Sequence, residues 1–361
     1  MCAICARRGF CPVSSYLFGS AIGQVFYGPI SDRFGRRSLL LAALLLYALA
    51  TFGCAAAQSI GALVTLRFIQ AIGVAGVMVL ARAMVRDVYS GAHASRELSM
   101  MGAISGFVPV IAPVIGGALQ IWFGWRASFA LLVLFAAVMG SLVASRLPET
   151  LRHRTKMPFS LWEMSALYGS VAAHQGFLAN LAILTVGLAG LFAWLSGTPI
   201  VMQSAIYGLS PFEFGATLAI GSAGYILATL VAARTVIRLG LDRTVGIGTA
   251  CMALGGLMMA AVVGLASPHV SWFVGAMMPY FAGLAFAVPA SRAGALTPFR
   301  DRAATAASVM GFTQQMGAAI AATVVGFYLG RSAWPVASVV AVMGCMSFLI
   351  WLATRKVRVA R

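Results

Sequence analysis

Arg67 stands inside an apolar run, Leu66-Arg67-Phe68-Ile69-Gln70-Ala71-Ile72-Gly73. Placing an arginine at the centre of a bilayer costs about 2.5–3.5 kcal/mol on insertion scales, so such a residue reads first as functional. It could alternate between an acidic partner and a bound solute. Lying only a few residues from one end of its run, it could equally snorkel to the headgroups. Five amides share its apolar setting: Gln24, Gln70, Asn180, Gln314 and Gln315. With Arg67 they could line a polar path, although each could also serve only to bond a neighbouring helix. The eight carboxylates, Asp32, Asp87, Glu97, Glu149, Glu163, Glu213, Asp242 and Asp301, fall in loops or at helix ends. None is expected at mid-membrane, where proton transfer wants an ionisable group tuned by burial and a nearby arginine.

Other chemistries lack their residues. There is no GxxxxGK[ST] phosphate loop, and the two lysines, Lys156 and Lys356, have no glycine-rich neighbourhood, so nucleotide hydrolysis has no visible means. His93, His153, His174 and His269 are scattered in or near loops. Cys2 and Cys5 make a CxxC spacing, but no second pair or nearby histidine completes a zinc site. Neither cofactor nor metal is expected, and no catalytic set supports an enzyme.

The elements that must position these residues follow from composition. Hydrophobic residues make up 61% and charged residues 9% of the 361, against about 25% charged in soluble domains. The reading is an all-α integral membrane protein. Apolar runs place eleven spans near 13–30, 38–57, 64–86, 97–119, 127–146, 176–200, 213–236, 244–265, 272–297, 304–329 and 333–354. The net charge of +17 sits in short clusters between these runs, which fits lipid headgroups and excludes nucleic acid as a partner. Twenty basic residues fall on one side, from Arg33, Arg36 and Arg37 through Arg82, Arg86 and Arg292 to the tail, against Arg67, Arg126 and Arg331 on the other. That bias puts the long central loop and the C-terminus in the cytoplasm. The expected organisation is an irregular segment 1–12, a bundle of five spans over 13–146, a linker 147–175, a bundle of six spans over 176–354 and a basic tail 355–361. Eleven spans would leave Arg7 and Arg8 outside, an unfavoured arrangement, so a six-plus-six layout lacking its first helix is expected.

The first basic loop reads Gly28-Pro29-Ile30-Ser31-Asp32-Arg33-Phe34-Gly35-Arg36-Arg37. Its glycines permit a tight turn and close helix approach, while Asp32 could hold basic groups or a helix N-terminus. This resembles the loop signature of the major facilitator superfamily. The run from Arg67 to Gly73 resembles that family's Arg-x-x-Gln-Gly pattern, with Ala71 where glycine is usual. Gly102 to Gly117, with Gly106, Pro109, Pro113, Gly116 and Gly117, is similar to the signature helix of its antiporters, departing at Ala112. Further stretches, Ala81 to Tyr89, Gly124-Trp125-Arg126, Pro148-Glu149-Thr150-Leu151 and Ala304 to Gln314, resemble the Bcr/CflA-type drug-resistance transporters. The second-half loop, Arg238 to Arg243, is a degenerate version of the first and adds little.

The resemblance implies two helical bundles around a central cavity, working as a monomer in the bacterial inner membrane, in contact with lipid. It implies export of an amphiphilic drug or small metabolite in exchange for protons. It also implies an aspartate on a first helix as the partner of Arg67. The competing reading is a truncated, non-transporting remnant or membrane interaction protein that keeps the scaffold without the coupling acid.

Overall fold

The structure, a computed structural model, describes residues 12–89, 91–151, 168–203, 207–265, 269–328 and 332–359. Every regular element among them is helical. In chain order these are α1 (Pro12–Phe34), α2 (Arg36–Ala56), α3 (Ile60–Val88), α4 (Gly91–Phe123), α5 (Arg126–Arg146), α6 (Gln175–Met202), α7 (Pro211–Gly264), α8 (Val270–Leu296), α9 (Ala303–Tyr328), α10 (Trp334–Ala353) and the short α11 (Arg355–Val359). A 3-10 turn, Thr297–Arg302, joins α8 to α9. The expected segment 1–12 lies outside the described residues except for Pro12, as does most of the expected linker.

Local chemistry sets the helix ends. α1 stops at Gly35, whose φ of 100° is a conformation that a Cβ makes costly. Ser59 caps α3 by accepting from the Ala62 amide at 3.2 Å. At α7, Ser210 and Glu213 form a reciprocal capping box with Pro211 in the first turn. The sequence reading differs from the structure at one connection. Spans 213–236 and 244–265 were expected to be separated by a loop, but they belong to one element that leaves helical geometry only at Gly240, with φ 78°. Glycine alone takes that conformation without strain, so one residue does the work of a loop.

Among the described residues, seven helices are long and apolar enough to cross a membrane, α7 with its two legs among them. α3 packs between α1 and α2, and α5 lies on α2. In the later part of the chain α7 packs with α8 and α10, while α6 packs with α8, α9 and α10. Among the described residues, α9 against α1 and α4 against α7 are the extensive contacts between these sets. The larger core surrounds Trp194, Tyr280, Phe177, Phe273 and Met277; a smaller one gathers Tyr27, Leu40, Leu80 and Met84. Large apolar side chains also face outward, Phe52 at 64% and Ile237 at 85% exposure among them. Such a surface suits hydrocarbon as its solvent, because helices satisfy their own backbone there.

Candidate functional site

α1 carries the polar side of the first helix set. Near its start, the guanidinium of Arg67 on α3 lies 5.5 Å from the centroid of the Tyr16 ring and 5.0 Å from that of Phe129. Arg67 Nη1 donates to Gln70 Oε1 at 2.9 Å, and Gln70 Nε2 donates to Thr51 Oγ1 at 2.7 Å. Gln70 is fully buried. The guanidinium is thus turned into the protein, between ring faces that attract a cation. Among the described residues no carboxylate comes within ion-pair distance of it.

One to two turns further along α1, Ser20 Oγ accepts from Gln24 Nε2 at 3.4 Å and from Gln315 Nε2 at 3.1 Å, joining α1 to α9. Gln24 Oε1 abuts Gly311, so only a glycine fits there without displacing the amide. Gln314 accepts from Arg292 Nη2 at 3.2 Å. Arg292, grouped with the basic loops in the sequence, sits a full turn inside α8. Asn180 stands apart: its Nδ2 donates to the Gly176 carbonyl of its own helix at 2.9 Å. The six path residues therefore fall into a pair, Arg67 with Gln70; an α1–α9 seam containing Gln24 and Gln315; Gln314, bonded to Arg292 of α8; and Asn180, bonded within its own helix.

At the far end of α1 the loop residues form a cluster. Arg36 Nη2 lies 2.6 Å from Asp32 Oδ1, and Arg36 Nε lies 3.0 Å from Asp87 Oδ2; Arg36 also donates to Ser31. Asp32 thus holds a basic side chain, while the N-terminus of α2 goes to Glu149, which accepts from the amides of Arg36 at 2.9 Å and Arg37 at 3.3 Å. Arg37 Nη2 reaches the Ala144 carbonyl, and Thr150 Oγ1 donates to Asp87 at 3.3 Å. Burial nudges the Glu149 carboxyl upward, but the amides of Leu151, Arg36, Arg37 and Thr150 outweigh it and hold it below its ordinary range. Arg33 is exposed and lies over Phe34. Gly35 makes the turn, whereas Gly28 meets nothing within 4 Å, so the expected close approach is not made there. Asp87 and Glu149 were missed as cluster members, although both sit inside stretches noted in the sequence.

Gly28 borders a cavity of about 260 Å³ that also takes in Gln24, Asp32, Arg82, Arg86 and Ala307. The helices meet closely at the other end. Gly117 lies 26 residues into α4, roughly 39 Å from its basic start. A Cβ at Gly117 would come within 2.8 Å of the Pro211 carbonyl oxygen, and one at Gly215 within 2.5 Å of the Pro113 carbonyl oxygen. Small residues here let α4 and α7 cross backbone to backbone. Gly116 faces open space, and the surroundings of Gly106 and Pro109 lie outside what is described.

Known proteins resemble this chain in sequence and fold. The Major Facilitator Superfamily model matches residues 11–204. The MFS-type transporter YdgK of Bacillus subtilis (strain 168) is 35% identical over 226 residues, 62% of this chain and 56% of that protein, so the match spans little more than half of YdgK's length. Multidrug resistance protein D of Escherichia coli (strain K12) is 28% identical over 343 residues, 94% of this chain and 84% of the relative. The partially occluded inward-open structure of the xylose transporter XylE from E. coli superposes with a TM-score of 0.71 at 19% identity, covering 98% of this chain and 88% of XylE, which shows a shared fold. This multi-pass membrane protein is a transporter rather than an enzyme, and it belongs to the Major Facilitator Superfamily.

Proposed function

We propose that this transporter exports drugs or small metabolites in exchange for protons, by alternating access across the bacterial inner membrane. The observation that carries the reading is the asymmetry between the two ends: backbone contact at Gly117 and Gly215, and a cavity bordered by charged residues at the Asp32 end. That is how an inward-open state looks when two bundles, 13–146 and 176–354, rock about a central site. The Asp32–Arg36–Asp87 cluster is the latch that resets as they move. Arg67 and Gln70, with Gln24, Gln314 and Gln315, line the solute and proton path; Asn180 supports it from α6. The charge bias supports a cytoplasmic cluster and C-terminus, and the resemblance to multidrug resistance proteins supports an amphiphilic substrate.

Proteoliposomes containing the full chain test this. Adding compounds from a broad drug panel under an imposed pH gradient is expected to move protons with at least one of them. Correct insertion with no proton signal from any compound would overturn the proposal. One observation favours the second reading, a scaffold without coupling: Arg67 meets an amide and two rings, not an acid. Under that reading Arg67→Gln leaves all fluxes unchanged, whereas under antiport it abolishes the proton signal.

A further inference from the structure

The Gly240 turn stands where the two apolar legs of α7 meet, and α11 follows the apolar helix α10, so both lie at a face of the membrane. An ion pair brings them together: Arg358 Nε of α11 lies 3.0 Å from Oδ1 of Asp242, two residues past the turn. That contact gathers the neighbours of each partner. Arg243 adjoins Asp242, Arg238 lies two residues before Gly240 and Arg234 one helical turn earlier, while Arg355 and Lys356 stand within one turn of Arg358. All five are exposed, and among the described residues no carboxylate comes within ion-pair distance of any of them. Asp242 is already taken by the nearly buried Arg358. With that pair neutral, the five remaining cations are unbalanced, and their mutual repulsion opposes the docking of α11 on the turn. Exposed apolar side chains, Ile237, Leu241 and Leu352, stand among them. An anionic amphiphile answers both features. Phosphate oxygens match the N–H forks of the arginines, and hydrocarbon chains cover the apolar side chains.

We propose that the Gly240 turn and α11 together form a binding site for an anionic phospholipid of the adjoining leaflet, whose headgroup neutralises the patch and so strengthens the docking of α11 on α7. The C-terminal contact thereby senses membrane charge: it is tight on an anionic surface and loose on a neutral one. The inference depends neither on which solute is carried nor on whether protons move.

The test titrates the full chain, in a neutral detergent, with phosphatidylglycerol or with phosphatidylcholine of the same acyl chains, and follows the melting temperature. Phosphatidylglycerol is expected to raise it and phosphatidylcholine to raise it much less. Each cation near an anionic lipid surface is worth about fivefold in binding. The triple variant Arg243→Gln, Arg355→Gln, Lys356→Gln is therefore expected to lose about tenfold or more in apparent affinity for phosphatidylglycerol. Its response to phosphatidylcholine is expected to persist, which also reports that it is folded. Arg146→Gln, which removes an exposed cation at the end of α5 outside the patch, is expected to keep the full phosphatidylglycerol response. Equal responses to the two lipids, an undiminished response in the triple variant, or a loss as large in Arg146→Gln would overturn the site. Glycerol phosphate, the headgroup without its chains, is expected to compete poorly; competition as strong as the lipid's would mark a free phosphate as the ligand and sink the phospholipid reading. Hydrogen exchange of the amides of 355–359 is expected to slow with phosphatidylglycerol only. Exchange unaltered while that lipid binds would refute the sensing of membrane charge.

Discussion

At Gly35 and at Gly240 the chain passes from one helical segment to the next through a single residue of positive φ, 100° and 78°. Each turn has an aspartate within three residues, yet the partners differ. Asp32 shares Arg36 with Asp87, and Glu149 caps the helix that begins there, so the first turn binds α1, α2, α3 and the segment after α5 together. Among the described residues Asp242 takes a single cation, Arg358 of α11, at 3.0 Å; Arg358 also donates to the Trp351 carbonyl, and the Trp351 indole N–H donates to the Asp242 carbonyl. The second turn therefore fastens the end of the chain to α7. The same backbone device serves a junction of several helices in one place and a terminal clasp in the other. The loop that read as degenerate in the sequence has kept its turn and exchanged its partners.

The sharpest way to break this contrast is to remove each cation. Arg36 is 12% exposed and serves two carboxylates, so Arg36→Ala is expected to destabilise by about 3 kcal/mol, the lower end for breaking a buried pair, seen as a fall in melting temperature in detergent. Next come the turns themselves: Gly35→Ala and Gly240→Ala are each expected to cost about 1–3 kcal/mol of backbone strain. A thermal shift confined to Gly35→Ala would show that the turns are not equivalent. Asp242→Asn leaves Arg358, 4% exposed, without its anion; it is expected to cost about 1–3 kcal/mol, the scale of a buried polar group left unsatisfied, and to release α11. The readout is faster tryptic cleavage after Lys356 and Arg358, with the rest of the chain still resistant.

The smallest effect belongs to Glu149. Its folded-state pKa is depressed, so its stabilising contribution is fully present above the unfolded value, about 4.3, and is lost as pH falls through the folded value. Glu149→Gln is expected to remove that acid-side loss and to cost roughly 0.3–1 kcal/mol at neutral pH, the scale of a charge at an exposed helix N-terminus. A melting temperature that falls with acid identically in both proteins would assign the dependence to other groups.

Most helices were legible because hydrocarbon demands long apolar runs and charged breaks interrupt them. The Gly240 turn was not, since Arg238, Asp242 and Arg243 look like a loop and glycine's φ leaves no mark on hydropathy. Asp32 with Arg36 could be anticipated from their closeness in the loop, four residues apart across the Gly35 turn. Asp87 and Glu149 lie 51 and 113 residues from Arg36, and only packing brings them to it. Gln70 beside Arg67 was readable at a spacing of three, whereas the Gln315–Ser20 contact spans 295 residues. Arg292 misled because an arginine near a helix end counts as a loop cation until its neighbours are known.

The lack of slack at Gly240 has a mechanical consequence. The leg that begins at Pro211 is pinned to α4 at Gly215, and roughly 37 Å of helix separates that pin from the turn. With a single pivot residue instead of a compliant tether, the adjoining ends of the two legs stay one residue apart, about 3.8 Å between neighbouring Cα atoms, so a displacement of the first leg's end carries the start of the second with it. α7 then acts as a bell-crank, passing movement at one membrane face to the C-terminal clasp at the other.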